Sequence, residues 1–245
     1  MKIIASDYDG TINLHGVSDA DKEAIARFRE AGNKFGVVTG RDLELAQWIL
    51  YDMKGKIDFL ICCTGAMILD GQGNILYEKK QKVDKNRFEA LLKKARELHM
   101  GTFSVSDRLV RIYADRIGTI PMELERITEF TQANMWFPNE QECVEYMEYL
   151  EKEHSDYIKP FRNGGSLDIP PLGVSKPTGV YEYAKMLDNV EKIYAVGDNL
   201  NDIPMIKEFC GFAVSNAKDE VKAVAQHQCD RVADMIGYVL QEEEK

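Results

Sequence analysis

Short, fully apolar runs alternate with longer segments of helical periodicity along the first third of the chain. Residues 2–6, "KIIAS", read as a buried strand. "DADKEAIARFREAG" follows, with Ala24, Ile25, Phe28 and Ala31 at helical spacing, Ser18 placed to cap its start and Gly32 to stop it. "KFGVVTGR" is a second strand, "DLELAQWILYDM" a helix and "DFLICCTGA" a third strand. Strands that are apolar on both faces and separated by amphipathic helices predict a parallel sheet covered on both sides.

The rhythm then changes. "ILDGQGNILYEK" predicts a hairpin turning at Asp70–Gly73, and "DKNRFEALLKKARELHM" a helix. "GTFSVS" and "LVRIYA" alternate like antiparallel strands with one face toward solvent. "MELERITEFTQ" and "EQECVEYMEYLEKEH" predict helices, and "DYIKPFR" and "SLDIP" further strands. After "PLGVSK" the first rhythm returns: "PTGVYEYAKML" (helix), "KIYAVGD" (strand), "NDIPMIKEF" (helix), "CGFAVS" (strand) and "KDEVKAVAQ" (helix), with "QEEEK" a solvated end. The expected organisation is an α/β, Rossmann-like core formed by residues 1–81 and 164–245, interrupted by an α+β unit at 82–163.

Composition narrows the function. With 245 residues, 44% hydrophobic and 29% charged, the chain has the make-up of a folded globular protein. A formal net charge of -10 argues against nucleic acid and anionic membranes as partners. The 5 cysteines are odd in number, scattered and without a CxxC, so they read as free thiols. No signal-like start and no bilayer-length apolar run is visible, and a cytoplasmic location is expected.

In an open α/β sheet, ligands bind beyond the carboxyl ends of the strands. Four polar clusters fall there: Asp7, Asp9 and Thr11; Thr39, Gly40 and Arg41; Lys176 before a late helix; and Asp198 with Asn201 and Asp202. Oxygen ligands without sulfur or histidine suit a hard cation, Mg²⁺ best, and a lysine with a threonine suits phosphate oxygens. Cation and lysine together would let a carboxylate approach a phosphate dianion. Arg41 either reaches the substrate or pairs with an acid such as Asp42 or Glu44.

"DYDGT", "VVTGR", the lysine of "GVSKP" and "GDNLND" resemble, in order and spacing, the four motifs of the haloacid dehalogenase superfamily, in its Cof-type branch with a C2-type cap. The resemblance spans nearly the whole chain. It implies that Asp7 is a nucleophile forming an aspartyl phosphate, and that Asp9 is the acid/base, its backbone carbonyl also touching Mg²⁺. It further implies that Thr39, Gly40 and Asn201 hold the phosphate, that Lys176 stabilises charge, and that Asp198 ligates the metal with Asp202 in support. Thr11 would hydrogen-bond Asp9. Thr64 stands where the branch often has Asn, and is carried as a substrate-site candidate.

The function expected is Mg²⁺-dependent hydrolysis of a small phosphorylated metabolite such as a sugar phosphate, by a monomer or weak homodimer. A phosphomutase of the phosphomannomutase kind is the alternative. A phospho-aspartate receiver shares Asp, Thr and Lys at strand ends, but is about half this size and has no need of a second acid like Asp9. A dinucleotide enzyme lacks its GxGxxG here.

Overall fold

The computed structural model describes residues 1–108, 110–115 and 127–242. The strands are β1 (Lys2–Ser6), β2 (Lys34–Val38), β3 (Phe59–Cys62), β4 (Met67–Asp70), β5 (Ile75–Glu78), β6 (Gln81–Lys82), β7 (Thr102–Asp107), β8 (Val110–Asp115), β9 (Glu129–Phe130), β10 (Gln132–Trp136), β11 (Phe161–Asn163), β12 (Ser166–Ile169), β13 (Lys192–Gly197), β14 (Cys210–Val214) and β15 (His227–Cys229).

Eight strands form the main sheet in the order β15-β14-β13-β1-β2-β3-β4-β5. The pairs from β15 to β3 are parallel, and β4 and β5 continue antiparallel. β1 lies between β13 and β2, which is why all five of its residues are buried and its middle, Ile3-Ile4-Ala5, is apolar on both faces. Alternate residues feed two cores. Ile4, Phe35, Val37, Leu60 and Val196 pack on one face; Ile3, Ala5, Val38, Ile61 and Ala195 pack on the other. Helices close both faces, so the fold is α/β with a mostly parallel sheet. The helix Asp19–Glu30 starts where its spacing predicts, with the Ser18 side chain accepting from the Asp21 amide.

A second sheet, β11-β12-β10-β7-β8, has its own core around Phe88, Leu92, Phe103, Phe130, Tyr146 and Leu167. It takes in Ser166–Ile169, so its last strand runs past residue 163.

Several elements differ from expectation. Of the helix expected over "MELERITEFTQ", Met122–Arg126 lie outside the described residues, and the rest holds β9 and the first residue of β10, with Phe130, and beyond the segment Ala133 and Met135, directed into the second core. "DYIKPFR" is a strand only at Phe161–Asn163. The helix in "KDEVKAVAQ" is confined to Asp219–Lys222. β15 and the helix Val232–Gln241 were not anticipated, although Val232, Met235, Ile236 and Val239 form a clean buried stripe. The polar face of the second sheet turns toward the cleft above β1 and β2 rather than to open solvent. Residues 243–245 of the expected solvated end lie outside the described residues.

Candidate active site

The site is assembled at the carboxyl ends of β1, β2 and β13. The Asp7 amide donates to the Val196 carbonyl at 2.9 Å, continuing the β1–β13 ladder by one rung and fixing Asp7 at the sheet edge. Beyond it, Gly10 turns with φ 84°, a conformation that costs glycine little. The turn also lets Asp198 in: a Cβ on Gly10 would lie 2.5 Å from the Asp198 Oδ2.

Lys176 opens the helix Lys176–Ala184, which is capped by reciprocal hydrogen bonds between Ser175 and Thr178. Its side chain is buried, and Nζ donates to Asp7 Oδ1 at 2.6 Å and to Asp202 Oδ1 at 2.5 Å. Asp202 Oδ2 accepts from the amides of Asp198 and Asn199, both at 3.1 Å. Asp202 is thereby spent on holding Lys176 and the loop in place. Asp198 is held by Thr11, whose hydroxyl donates to Oδ1 at 2.6 Å. Thr11 therefore serves Asp198, not Asp9 as expected, because the turn at Gly10 carries it toward β13.

Arg41 lines the cleft and pairs with an acid, though with neither Asp42 nor Glu44. It binds Asp9 through both arms of the guanidinium, Nε to Oδ2 at 2.8 Å and Nη2 to Oδ1 at 2.6 Å, and lies over the Tyr8 ring. Asp42 caps the helix Leu43–Asp52 and accepts from the Ser106 hydroxyl at 2.5 Å. Thr64, expected at the substrate, donates to Gln132 Oε1 at 2.9 Å, while Gln132 Nε2 donates to the Gly40 carbonyl. Thr64, in the turn after β3, thus binds the second sheet through Gln132, which also reaches the loop after β2, and Thr64 does not line the cleft. Arg108, Arg111, Tyr113 and Arg116 are of types that suit a substrate contact, though each such residue is more often structural; Arg108 pairs with Glu78. Arg116 lies outside the described residues, and the side chains of Arg111 and Tyr113 are not described.

The cleft has a volume of about 280 Å³. Asp7, Asp9, Thr39, Gly40, Arg41 and Asn201 line its lower side, and residues of the second sheet line the upper. Among these are Asn134, Asn163 and Asp168, which sequence reasoning missed. The available signal was one acid flanked by Leu167 and Ile169 in a buried strand.

Asp7, Asp198 and Asp202 offer carboxylate oxygens within 4.8 Å of one another. Burial lifts the Asp7 carboxyl well above the ordinary range, Asp202 adds to the rise, and Lys176 opposes it. Burial also raises Asp198, against the hydrogen bond from Thr11. Burial works against the Lys176 ammonium, but Asp202 and Asp7 outweigh it and hold the group above its usual value. One lysine among three carboxylates leaves excess negative charge, and a hard divalent cation fits that deficit and an all-oxygen donor set.

Comparison with known proteins gives the family. A family profile described as haloacid dehalogenase-like hydrolase matches residues 4–237. The chain belongs to that family. It is 28% identical over 236 residues to the 5-amino-6-(5-phospho-D-ribitylamino)uracil phosphatase YcsE of Bacillus subtilis (strain 168), covering 94% of this chain and 90% of the relative. It is 26% identical over 275 residues to the pyridoxal phosphate phosphatase YbhA of Escherichia coli (strain K12), covering 96% and 97%. A haloacid dehalogenase-like hydrolase from B. subtilis superposes with a TM-score of 0.82 at 20% identity, over 97% of this chain and 99% of that one. The chain is a phosphoric monoester hydrolase. Among the described residues, no helix is long and apolar enough to cross a membrane.

Proposed function

We propose that this hydrolase removes phosphate from a small phosphorylated metabolite, of the sugar phosphate type, through an aspartyl-phosphate intermediate on Asp7. The observation that carries this reading is the contact of Lys176 Nζ with Asp7 Oδ1 at the floor of the cleft. It restrains the carboxylate and sets a positive charge beside the oxygen atoms that must meet a phosphate.

In this reading, an Asp7 oxygen attacks phosphorus in line and the ester oxygen leaves on the opposite side. Thr39 and the Gly40 amide hold the non-bridging oxygens, with Asn201 nearby. To give a proton to the leaving oxygen Asp9 must be protonated, with one arm of its Arg41 pair released; ionised again, it takes a proton from the water that hydrolyses the acyl phosphate. Lys176 counters charge on Asp7 throughout. Mg²⁺ would be held by Asp7, Asp198 and the Asp9 carbonyl, with Asp202 supporting, and would supply charge neutralisation at the phosphate. The Asp198 Oδ2, which accepts no hydrogen bond among the described residues, favours Asp198 as a direct ligand. The unit at 82–163, extended to Ile169, is read as a cap that shields the cleft from water.

Replacing Asp7 by Asn tests the reading. Hydrolysis of p-nitrophenyl phosphate should fall to background with the melting temperature near that of wild type; retained turnover would remove Asp7 as nucleophile.

A further inference from the structure

The second sheet presents two unlike faces. In its antiparallel register, Asn134 lies opposite Asp168 on one side and opposite Ser104 on the other; Trp136 likewise lies between Ser166 and Thr102. Phe103, Val105, Ala133, Met135, Leu167 and Ile169 point into the second core, and the six polar or aromatic residues above line the cleft over Asp7 and Asp9. Alternation alone thus builds a hydrogen-bonding ceiling over the reacting corner.

Asp168 is unusual within it. Its residue is 7% exposed. One oxygen accepts from Asn134 Nδ2 at 2.7 Å. The other meets the backbone of the loop after β2, where a Cβ on Gly40 would lie 2.3 Å from it, and accepts no hydrogen bond among the described residues. That oxygen lies on the cleft wall with unused capacity, open to a donor group that enters the cleft.

We propose that Asp168, oriented by Asn134, determines specificity by accepting hydrogen bonds from hydroxyl groups of the leaving group, so that the preferred substrates are phosphate esters of polyhydroxylated carbon skeletons. This rests on the phosphatase reading above. Neutral Ser104, Ser166 and Thr102 add hydroxyl-compatible partners, and the half-exposed Trp136 offers a ring face to the C–H side of such a skeleton. Burial raises the Asp168 carboxyl to about 7, against Lys176 and the Asn134 hydrogen bond and with Asp42 adding, so near neutral pH a donated hydroxyl proton also favours its ionised, accepting form.

The test compares wild type, Asp168→Asn and Asn134→Ala on glucose 6-phosphate, ribitol 5-phosphate and erythrose 4-phosphate against p-nitrophenyl phosphate and propyl phosphate, which carry no hydroxyls. The ratio of kcat/KM for the best hydroxylated ester to that for p-nitrophenyl phosphate should fall about 10- to 100-fold in Asp168→Asn, mostly through KM, and less in Asn134→Ala. An equal fall on both substrate classes would overturn the inference and leave Asp168 a structural residue. Wild-type turnover of the two hydroxyl-free esters with none of the hydroxylated set would overturn it while sparing the phosphatase reading. Wild-type turnover of neither class would remove that reading, and this inference with it.

Discussion

Arg41 holds Asp9 by a two-pronged ion pair, with contacts of 2.8 Å and 2.6 Å. The pair joins the loop after β2 to the loop after β1. It fixes the direction of a carboxylate that is otherwise half exposed. If Asp9 handles protons, Arg41 sets where they are delivered. Arg41→Ala should lower kcat/KM on p-nitrophenyl phosphate by roughly 10- to 100-fold, and Arg41→Lys should recover only part of it, because an ammonium cannot reproduce the planar fork. Steady-state kinetics of the two variants decide the matter; wild-type rates in Arg41→Ala would detach Arg41 from Asp9's work.

Lys176 is a buried cation between two buried acids. Its removal strands both. Lys176→Met should cost about 3–5 kcal/mol in urea unfolding, together with loss of phosphatase activity. Adding Asp202→Asn should return part of the stability and none of the activity. If the double variant is no more stable than the single one, the three groups do not act as an electrostatic unit.

Asp168 gives a pH dependence of definite sign. Its folded-state value, about 7, lies above that of an unfolded aspartate near 4. The folded state then binds the proton more tightly, so stability is withdrawn as pH climbs from about 4 to about 7 and changes no further above that window. Asp168→Asn, neutral throughout, should gain on wild type over this range by up to roughly 4 kcal/mol. Unfolding curves of both proteins at several pH values check it; a stability difference independent of pH would contradict the shift.

The cation reading has readouts in binding as well as turnover. EDTA should silence hydrolysis, and Mg²⁺ should restore it. Added Mg²⁺ should raise the melting temperature of wild type and have a much smaller effect on Asp198→Asn, since only the form that binds the ion is stabilised. Gly10→Ala should raise the Mg²⁺ concentration needed for half-activity, because its Cβ would press on Asp198. Full activity after chelation would exclude the ion from the reaction.

Much of the reactive corner was legible because each part ends an apolar run or opens a helix. Asp7 follows "IIAS", Thr39 follows "VV", and Asp198 follows "YAVG". Pairings across distant segments were not legible. Nothing in local spacing tells that Arg41 would meet Asp9 rather than Asp42, or that Thr11 would meet Asp198. Those choices depend on strand order and on the turn at Gly10. Gln132 sits in a segment whose composition favours helix, yet it becomes a fully buried strand residue because Thr64 and Gly40 satisfy its amide. Asp168 carried a signal in its apolar flanks, but only the register with Asn134 gives it a direction.

Asp168 and Lys176 stand on one short stretch of chain, "DIPPLGVSK", the first on the ceiling of the cleft and the second on its floor. Two adjacent prolines lie between them. Any chimaera that grafts another relative's inserted unit onto this core must be spliced inside that stretch. The seam would decide whether the graft brings only a new preference for leaving groups or also disturbs the ammonium beside Asp7. Evolution of new preferences by exchange of the whole insert is constrained in the same way, whereas point changes at Ser104, Asn134 or Ser166 leave the seam untouched.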